Sequence, residues 1–309
     1  MRRREFIVGV GSAAAAATWP IVARAQQSKK IPVVGVLWHA ENAEGEIGRV
    51  EALRSGLEDF GRIEGKNIKI IDTFAAEQYE KFDINAAALA AVPVDLLFAH
   101  TQPAAMAAHR ATDKIPIVFT WVPDPVQSGL VASLNRPGGN ITGFSNVAVD
   151  LSGKKLQMMK EVTGSFRLGF LANGNDSNVA SRSAQALKSA AVSLDIELQV
   201  IQVRGADEID RAFDEFARQG LGGVITQPDG LFFNERKRIA RLAIERRMAT
   251  LGHVEELADD GFLMTFGPSG VLMIRHAAGY VDKILSGTAP GELPVELPTK
   301  IDLVINNKS

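Results

Sequence analysis

Short apolar runs alternate with amphipathic stretches along the chain from residue 31 onward. Residues 33–38, VVGVLW, form a continuous apolar run, which is typical of a strand buried on both faces of a parallel sheet. In residues 47–60, apolar residues recur three and four positions apart, as on one face of a helix, and Gly61 supplies a stop. Repeated along the chain, this alternation predicts right-handed β-α-β crossovers and parallel sheets covered by helices.

The same rhythm starts twice, on either side of residues 136–146, RPGGNITGFSN. Proline, glycine and asparagine end regular structure there, and a short β-type run follows. A length of 309 residues also suits two lobes better than one core. We therefore predict an α/β protein with two doubly wound parallel-sheet lobes joined by hinge crossings. Lobe 1 is expected to hold residues 31–144 and about 267–290, and lobe 2 about 145–266 and about 291–309.

Individual strands are predicted at the apolar runs of each half. In the first half they are residues 33–38, 67–74, 94–99, 117–120 and 141–144. In the second half they are residues 168–171, 197–203, 223–226, 250–251, 263–266 and 301–305. A strongly basic helix is predicted over residues 233–248, and we interpret its basic side chains as a solvated outer face rather than an anion site.

The first 25 residues are predicted to be an export signal and not part of the fold. A basic start is followed by an apolar run and by Ala23-Arg24-Ala25, an A-x-A cleavage pattern. Arg3-Arg4 before Glu5-Phe6-Ile7 resembles a twin-arginine signal. The expected location of the mature protein is therefore the periplasm, with cleavage near Ala25.

Composition excludes several classes of function. The chain contains no cysteine, which removes disulfides, thiolate metal sites and cysteine nucleophiles. Residues 1–25 hold four arginines and one glutamate, so the remaining 30 basic and 35 acidic residues give a net charge of −5. A nucleic-acid partner would need a basic face. We expect no nucleic-acid binding, no cofactor and a monomer.

Candidate ligand-binding residues lie at the carboxyl ends of the predicted strands, where open parallel sheets bind their ligands. Both tryptophans of the mature chain fall at such ends, next to histidines and short polar side chains. The candidates are Trp38, His39, His100, Thr101, Trp121, Asp124, Ser145, Asn146, Asn173, Asp229 and His253.

Several of these residues have a purely structural interpretation as well. Trp38 or Trp121 could form an aromatic wall for a ligand, or each could pack at a strand end. Asp124, between two prolines, could be a turn former, and Asn173 could cap the helix that follows. Asp229 could cap a turn or accept hydrogen bonds from a ligand ammonium group. Sequence alone leaves these alternatives open.

Neither a metal site nor a catalytic centre is indicated. His39, His100 and His253 lie in three different loops, so their spacing is not diagnostic of metal binding. The sequence contains no G-x-S-x-G nucleophile motif. Binding without chemistry is the favoured interpretation.

Six segments carry a resemblance to a known family: ARAQQ, IPVVGVL, GLEDFGRIEGKNI, VASLNRPGGNITGFS, FFNERK and PTKIDLVIN. Through them the chain resembles ABC-transporter substrate-binding proteins related to tryptophan- and phenylalanine-binding periplasmic proteins. The family's DPV segment corresponds to residues 124–126 and its GGN-x-TG segment to residues 138–143. Where many relatives read NP-x-NP, residues 173–176 read NGND and lack both prolines.

The resemblance implies a type I periplasmic-binding fold that traps a small solute between its lobes. It also implies delivery of that solute to an ABC permease and ATPase complex at the inner membrane. An amino acid, aromatic or branched, or a related carboxylate is the expected ligand class. The alternatives are a periplasmic sensor that reports to a membrane receptor and, less favoured, a periplasmic enzyme.

Overall fold

The structure is a computed structural model, and it describes residues 30–147, 150–175 and 177–307. The predicted signal segment, residues 1–25, lies outside the described residues. No helix of the described ranges is long and apolar enough to span a membrane. From Ile31 onward the chain forms a single compact unit.

The first half of this unit is built on a five-stranded parallel sheet. Its elements are β1 (Val33–Trp38), α1 (Ile47–Asp59), β2 (Lys69–Phe74), α2 (Tyr79–Ala90), β3 (Leu96–His100), α3 (Gln102–Ala111), β4 (Ile117–Val122) and β5 (Ile141–Ser145). The strand order is β2-β1-β3-β4-β5. All residues of β3, β4 and β5 are buried, because helices cover both faces of the sheet, as the continuous apolar runs predicted.

The second half is built on a six-stranded sheet. Its elements are α4 (Ser152–Thr163), β6 (Arg167–Asn173), α5 (Ser177–Ser193), β7 (Glu197–Val203), α6 (Ala206–Arg218), β8 (Gly223–Thr226), α7 (Gly230–Asn234), α8 (Arg236–Glu245), β9 (Ala249–Gly252), α9 (Glu255–Asp259), β10 (Met264–Gly267), α10 (Gly270–Leu285) and β11 (Asp302–Ile305). The strand order is β11-β10-β9-β8-β6-β7. Only the β10–β11 pair among these described strands is antiparallel.

The predicted α/β class with two parallel-sheet lobes is confirmed. An antiparallel strand at one edge of an otherwise parallel sheet is common in such folds. Helix α10 packs on α1 and against β4 and β5, although it follows a strand of the second sheet. The lobe boundaries given above stay a prediction.

The basic stretch at residues 233–248 differs from its prediction. It forms two helices, α7 and α8, which meet at Glu235, where the backbone leaves the helical region with φ −90° and ψ 11°. Asp229 caps α7, so helical structure begins before the predicted start. The arginines of α8 face acidic side chains, with Arg236 on Asp260 and Arg246 on Asp214. This pairing agrees with a solvated outer face.

Residues 136–146 form a turn that leads into β5. Gly138 and Gly139 adopt φ values of 71° and 63°, a left-handed conformation that glycine tolerates best. Within β5, a Cβ on Gly143 would lie 2.0 Å from the carbonyl oxygen of Phe119. The close approach of β4 and β5 therefore requires glycine at position 143.

Candidate ligand-binding cleft

The carboxyl ends of the two sheets face each other and make contact. Trp121, near the end of β4, packs against His253, which follows β9, with 5.8 Å between ring centroids. Arg49 of α1 lies over the ring of Phe233 of α7, 4.1 Å from its centroid. Because ligands of open parallel sheets bind at this edge, these contacts define a cleft in a closed state.

A row of four rings runs across the cleft. His39 and His100 lie 5.4 Å apart between centroids, and His100 and Trp121 lie 6.5 Å apart. The contact between Trp121 and His253 completes the row. Four of the residues predicted from strand ends are therefore neighbours, although they come from four different loops.

A small cavity lies beside this row, with a volume of about 30 Å³. Glu77, Thr101 and Trp121 line it from the first half of the chain, and Asp229 and Gly230 line it from the second. By this measure a single water needs about 10–15 Å³, so the cavity holds only a water or two. A small organic solute can enter only if the lobes move apart.

His39 is held between two carboxylates. Its Nε2 lies 2.8 Å from Glu46 Oε1 and its Nδ1 lies 2.5 Å from Glu77 Oε1. Burial alone would lower the pKa of His39, but the two carboxylates outweigh burial and raise the pKa to about 10. Burial would likewise raise the pKa of Glu46, but His39 lowers it to about 2. His39 is therefore an imidazolium at neutral pH.

His39, Glu46 and His100 also have the spacing of a metal-binding group. Their donor atoms lie within 4.8 Å of one another. A metal binds the neutral imidazole, whereas each nitrogen of His39 faces a carboxylate and carries a proton. The arrangement of these buried groups therefore favours an ion pair.

Asp229 presents one carboxylate oxygen to protein partners and leaves the other available. Its Oδ1 accepts hydrogen bonds from Asn173 Nδ2 at 2.8 Å and from the backbone N–H of Leu231 at 2.9 Å. No described residue donates to Oδ2. Burial, and then the charge of Glu77, raises the pKa of Asp229 to about 7. The closed cleft thus holds a carboxyl group in need of a positive neighbour.

Two residues of the cavity wall have strained backbones. Thr101 has φ 88° and Trp121 has φ 65°, in a region that non-glycine residues adopt at a cost of about 1–3 kcal/mol. The register between β4 and β5 shifts between Thr120 and Val122, which turns the Trp121 ring toward the cavity. The buried hydroxyl of Thr101 has no hydrogen-bond partner among the described residues. Strain of this kind concentrates at functional sites.

Comparison with known proteins assigns the chain to a family. Residues 30–309 match the family described as ABC transporter substrate binding protein. The chain belongs to this family. The two-lobed fold is that of type I periplasmic binding proteins, so this protein is a solute-binding component of an ABC transporter.

Three relatives illustrate the similarity. A tyrosine-binding protein of Clostridioides difficile is 27% identical over 284 residues, covering 91% of this chain and 79% of that protein. A conserved domain protein of Vibrio cholerae has a TM-score of 0.83 and 26% identity, over 89% of this chain and 92% of that one. A Streptococcus pneumoniae ABC domain in complex with L-Trp has a TM-score of 0.81 and 19% identity, over 90% and 92% of the two chains.

Some of the predicted residues of this family member lie away from the cavity. Trp38 has no exposed surface, and its indole donates to Asp72 Oδ1 at 2.8 Å. The proposal of Trp38 as a ligand wall is therefore wrong for this closed state, because its ring packs inside the sheet against Phe98. Asp124 Oδ1 accepts a hydrogen bond from the backbone of Gln127, as a turn former does.

The remaining predicted residues are buried beside the cleft. Ser145 donates to the carbonyl oxygen of Pro123 at 3.3 Å, and Asn146, the next residue, is 1% exposed. Asn173 accepts from the backbone N–H of Asn175 and donates to Asp229. Asn173 therefore holds the neighbouring loop and positions Asp229.

Four charged cleft residues are absent from the sequence-based prediction: Glu46, Arg49, Glu77 and Lys155. Each is in or next to a helix, where charged side chains are usually solvated. Three of them, all but Glu77, are less than 9% exposed. No periodicity distinguishes these residues from exposed ones, since only the approach of distant strands buries them.

The His39 ion pair predicts a pH-dependent stability. The pKa of His39 rises from 6.5 to about 10 on folding, so its stabilisation is fully present below pH 6.5 and is lost as the pH rises to about 10. We expect the unfolding free energy of the parent to exceed that of His39→Gln by on the order of 3 kcal/mol at pH 6.5. Urea denaturation at several pH values measures it.

The expected difference shrinks toward zero by pH 10. His109→Gln is the control, because His109 is exposed on α3 and its removal should leave the pH profile unchanged. A difference between parent and His39→Gln that stays constant from pH 6.5 to 10 would contradict the charged state assigned to His39.

Proposed function

We propose that this protein captures an amino acid outside the cytoplasm and delivers it to an ABC permease and ATPase complex. One observation carries the proposal. Glu77 and Asp229, from opposite halves of the cleft, face the same cavity with no cation between them. An ammonium group is the chemistry that this pair of carboxylates would bind.

The acid pair also explains how a ligand would close the cleft. Without a ligand, closure brings Glu77 toward Asp229, and the repulsion raises the pKa of Asp229 to about 7. An ammonium group between them would replace this repulsion by attraction from both sides. A ligand that contacts both lobes in this way stabilises the closed form relative to the open form.

Trp121 supports an aromatic or branched side chain on the ligand. It lines the cavity and is 8% exposed, whereas Trp38 is fully enclosed. Aromatic rings stack on one another with a favourable energy. The names of two relatives, a tyrosine-binding protein and a structure in complex with L-Trp, support an aromatic amino acid as the leading ligand.

The cleft favours binding over catalysis. His39 is fixed as an imidazolium by two carboxylates. His100 bonds through Nδ1 to the hydroxyl of Thr120 at 2.8 Å, but that hydroxyl belongs to a fully buried residue, so no ligand reaches it. We infer that the ligand is released unchanged.

Export to the periplasm, removal of residues 1–25 and a monomeric state are parts of the same proposal. The basic, apolar and A-x-A segments of the first 25 residues support export. Transport is separated from sensing by uptake of labelled solute in cells with and without the chain. Loss of uptake on deletion supports transport, and unchanged uptake supports a sensor.

The decisive test is calorimetry of the protein from residue 26 onward against the common L-amino acids. Mass spectrometry of the solute released on denaturation complements it. We expect an aromatic amino acid to bind best, and D-amino acids or the corresponding sugars to bind poorly. A preferred ligand without an amino group would refute the proposed role of the acid pair.

A further inference from the structure

Lys155 of α4 is a buried cation without a partner. Its side chain belongs to a residue that is 3% exposed, and no described residue forms a hydrogen bond or ion pair with its ammonium group. Burial lowers the pKa of Lys155 to about 8. A buried charge is costly unless it is paired, so the protein keeps a destabilising group at this position.

Two further hydrogen-bonding groups lack partners next to Lys155. Strands β8 and β9 pair in parallel with Ile225 opposite Leu251, which places Gln227 beside His253 at the adjoining strand ends. Gln227 is 1% exposed and His253 4% exposed. Gln227 Nε2 and His253 Nδ1 have no hydrogen-bond partner among the described residues.

Electrostatics places these groups close to one another. Burial lowers the pKa of His253 well below 6.5, and the charge of Lys155 is the next largest cause. His253 is therefore neutral, and as a neutral imidazole it can donate from Nδ1. Lys155, Gln227 and His253 then offer three donors, with no acidic side chain raising the pKa of Lys155.

This group adjoins the acid pair of the cleft. The backbone N–H of Asn173 donates to Gln227 Oε1 at 3.2 Å, and its side chain donates to Asp229 Oδ1 at 2.8 Å. The ring of His253 packs against Trp121, which lines the cavity. A positive group and a negative group therefore lie side by side at the same sheet edge.

We propose that Lys155, Gln227 and His253 form the subsite for the carboxylate of the bound solute. The inference rests on the cleft being the ligand site, as proposed above, and it extends that proposal to a zwitterionic ligand. A carboxylate accepts from several donors at once and takes charge-assisted hydrogen bonds from ammonium groups. Binding would give Lys155 the counter-charge that the described residues do not supply.

The test compares Lys155→Met with Lys154→Met by calorimetry. Lys154 is the adjacent residue of α4 and is exposed, so it is a matched control. The probes are L-tryptophan, tryptamine, which lacks the carboxylate, and indole-3-propionate, which lacks the ammonium. For Lys155→Met we expect about 10- to 100-fold weaker binding of L-tryptophan, and unchanged binding of tryptamine. Lys154→Met should behave as the parent.

The ligand-free proteins provide a second readout. Methionine removes an unpaired buried charge, so Lys155→Met should unfold at the same temperature as the parent or higher. A purely structural lysine would give the opposite result. If Lys155→Met does not fold, Lys155→Gln, which keeps the length and a donor but not the charge, replaces it, with the same expected loss of carboxylate binding.

A thermal-shift panel separates failure of this inference from failure of the proposed function. It contains the common L-amino acids, succinate and glutarate. If only a dicarboxylate stabilises the parent, and Lys155→Met abolishes that stabilisation, the subsite stands and the amino-acid proposal fails. The inference is overturned if Lys155→Met binds a carboxylate ligand as tightly as the parent, or if no carboxylate in the panel stabilises the parent.

Discussion

Asp229→Asn is expected to weaken binding of the preferred amino acid by about 100-fold or more, the usual cost of removing one partner of a buried charge pair. The variant should keep its fold. Asparagine caps helices as well as aspartate does, and its single oxygen can accept from Asn173 and Leu231, which both donate to Oδ1 in the parent. The amide NH₂ would then stand where Oδ2 faces the ammonium, with a donor opposite a donor.

Calorimetry on parent, Asp229→Asn and Asp124→Asn measures this effect. Asp124 is the matched control, because it was the alternative ammonium partner and its Oδ1 accepts from the backbone of Gln127 instead. We expect Asp124→Asn to retain the affinity of the parent. Equal losses in both variants, or a loss only in Asp124→Asn, would move the ammonium site away from the cavity.

Gly230→Ala is expected to hinder closure of the cleft and so to weaken binding by about 10- to 100-fold. A Cβ at position 230 would lie 1.8 Å from Glu77 Oε1 and 2.7 Å from His39 Nδ1. A free glutamate would move aside at little cost. Here Glu77 is held by His39, so the added methyl group would break a buried ion pair or keep the lobes apart.

Small-angle X-ray scattering distinguishes closure from a general loss of structure. With saturating ligand, the parent should become more compact, and Gly230→Ala should change less. Gly153→Ala is the control, since a Cβ there meets Ala190 only at 3.9 Å and alanine favours a helix. Compaction of Gly230→Ala equal to that of the parent would show that the 230–77 contact does not limit closure.

Much of the fold could be predicted because it depends on local patterns. Continuous apolar runs become strands buried on both faces, as in β1 and β4, and the alternation with helices leaves few topologies. The position of the site follows from the same argument, since Thr101, Trp121, Asp229 and His253 all stand at strand ends. The late elements β10 and β11 were predicted as strands, but the antiparallel direction of β11 has no local signal.

The charged residues of the cleft could not be predicted in this way. Glu46, Glu77 and Lys155 lie in ordinary polar surroundings in the sequence, and each acquires its character from a distant partner or from burial. His39 becomes an imidazolium only because Glu46 and Glu77 are brought to its two nitrogens. Such pairs are set by strand order, which no short segment encodes.

The two tryptophans show where the division lies. The sequence by itself determined that Trp38 and Trp121 stand at the carboxyl ends of parallel strands, because each ends an apolar run. Only the tertiary structure decided between them. The side chain of Trp38 points into the packed sheet interior and bonds to Asp72, whereas the left-handed backbone of Trp121 and the register shift beside it turn that ring into the cleft.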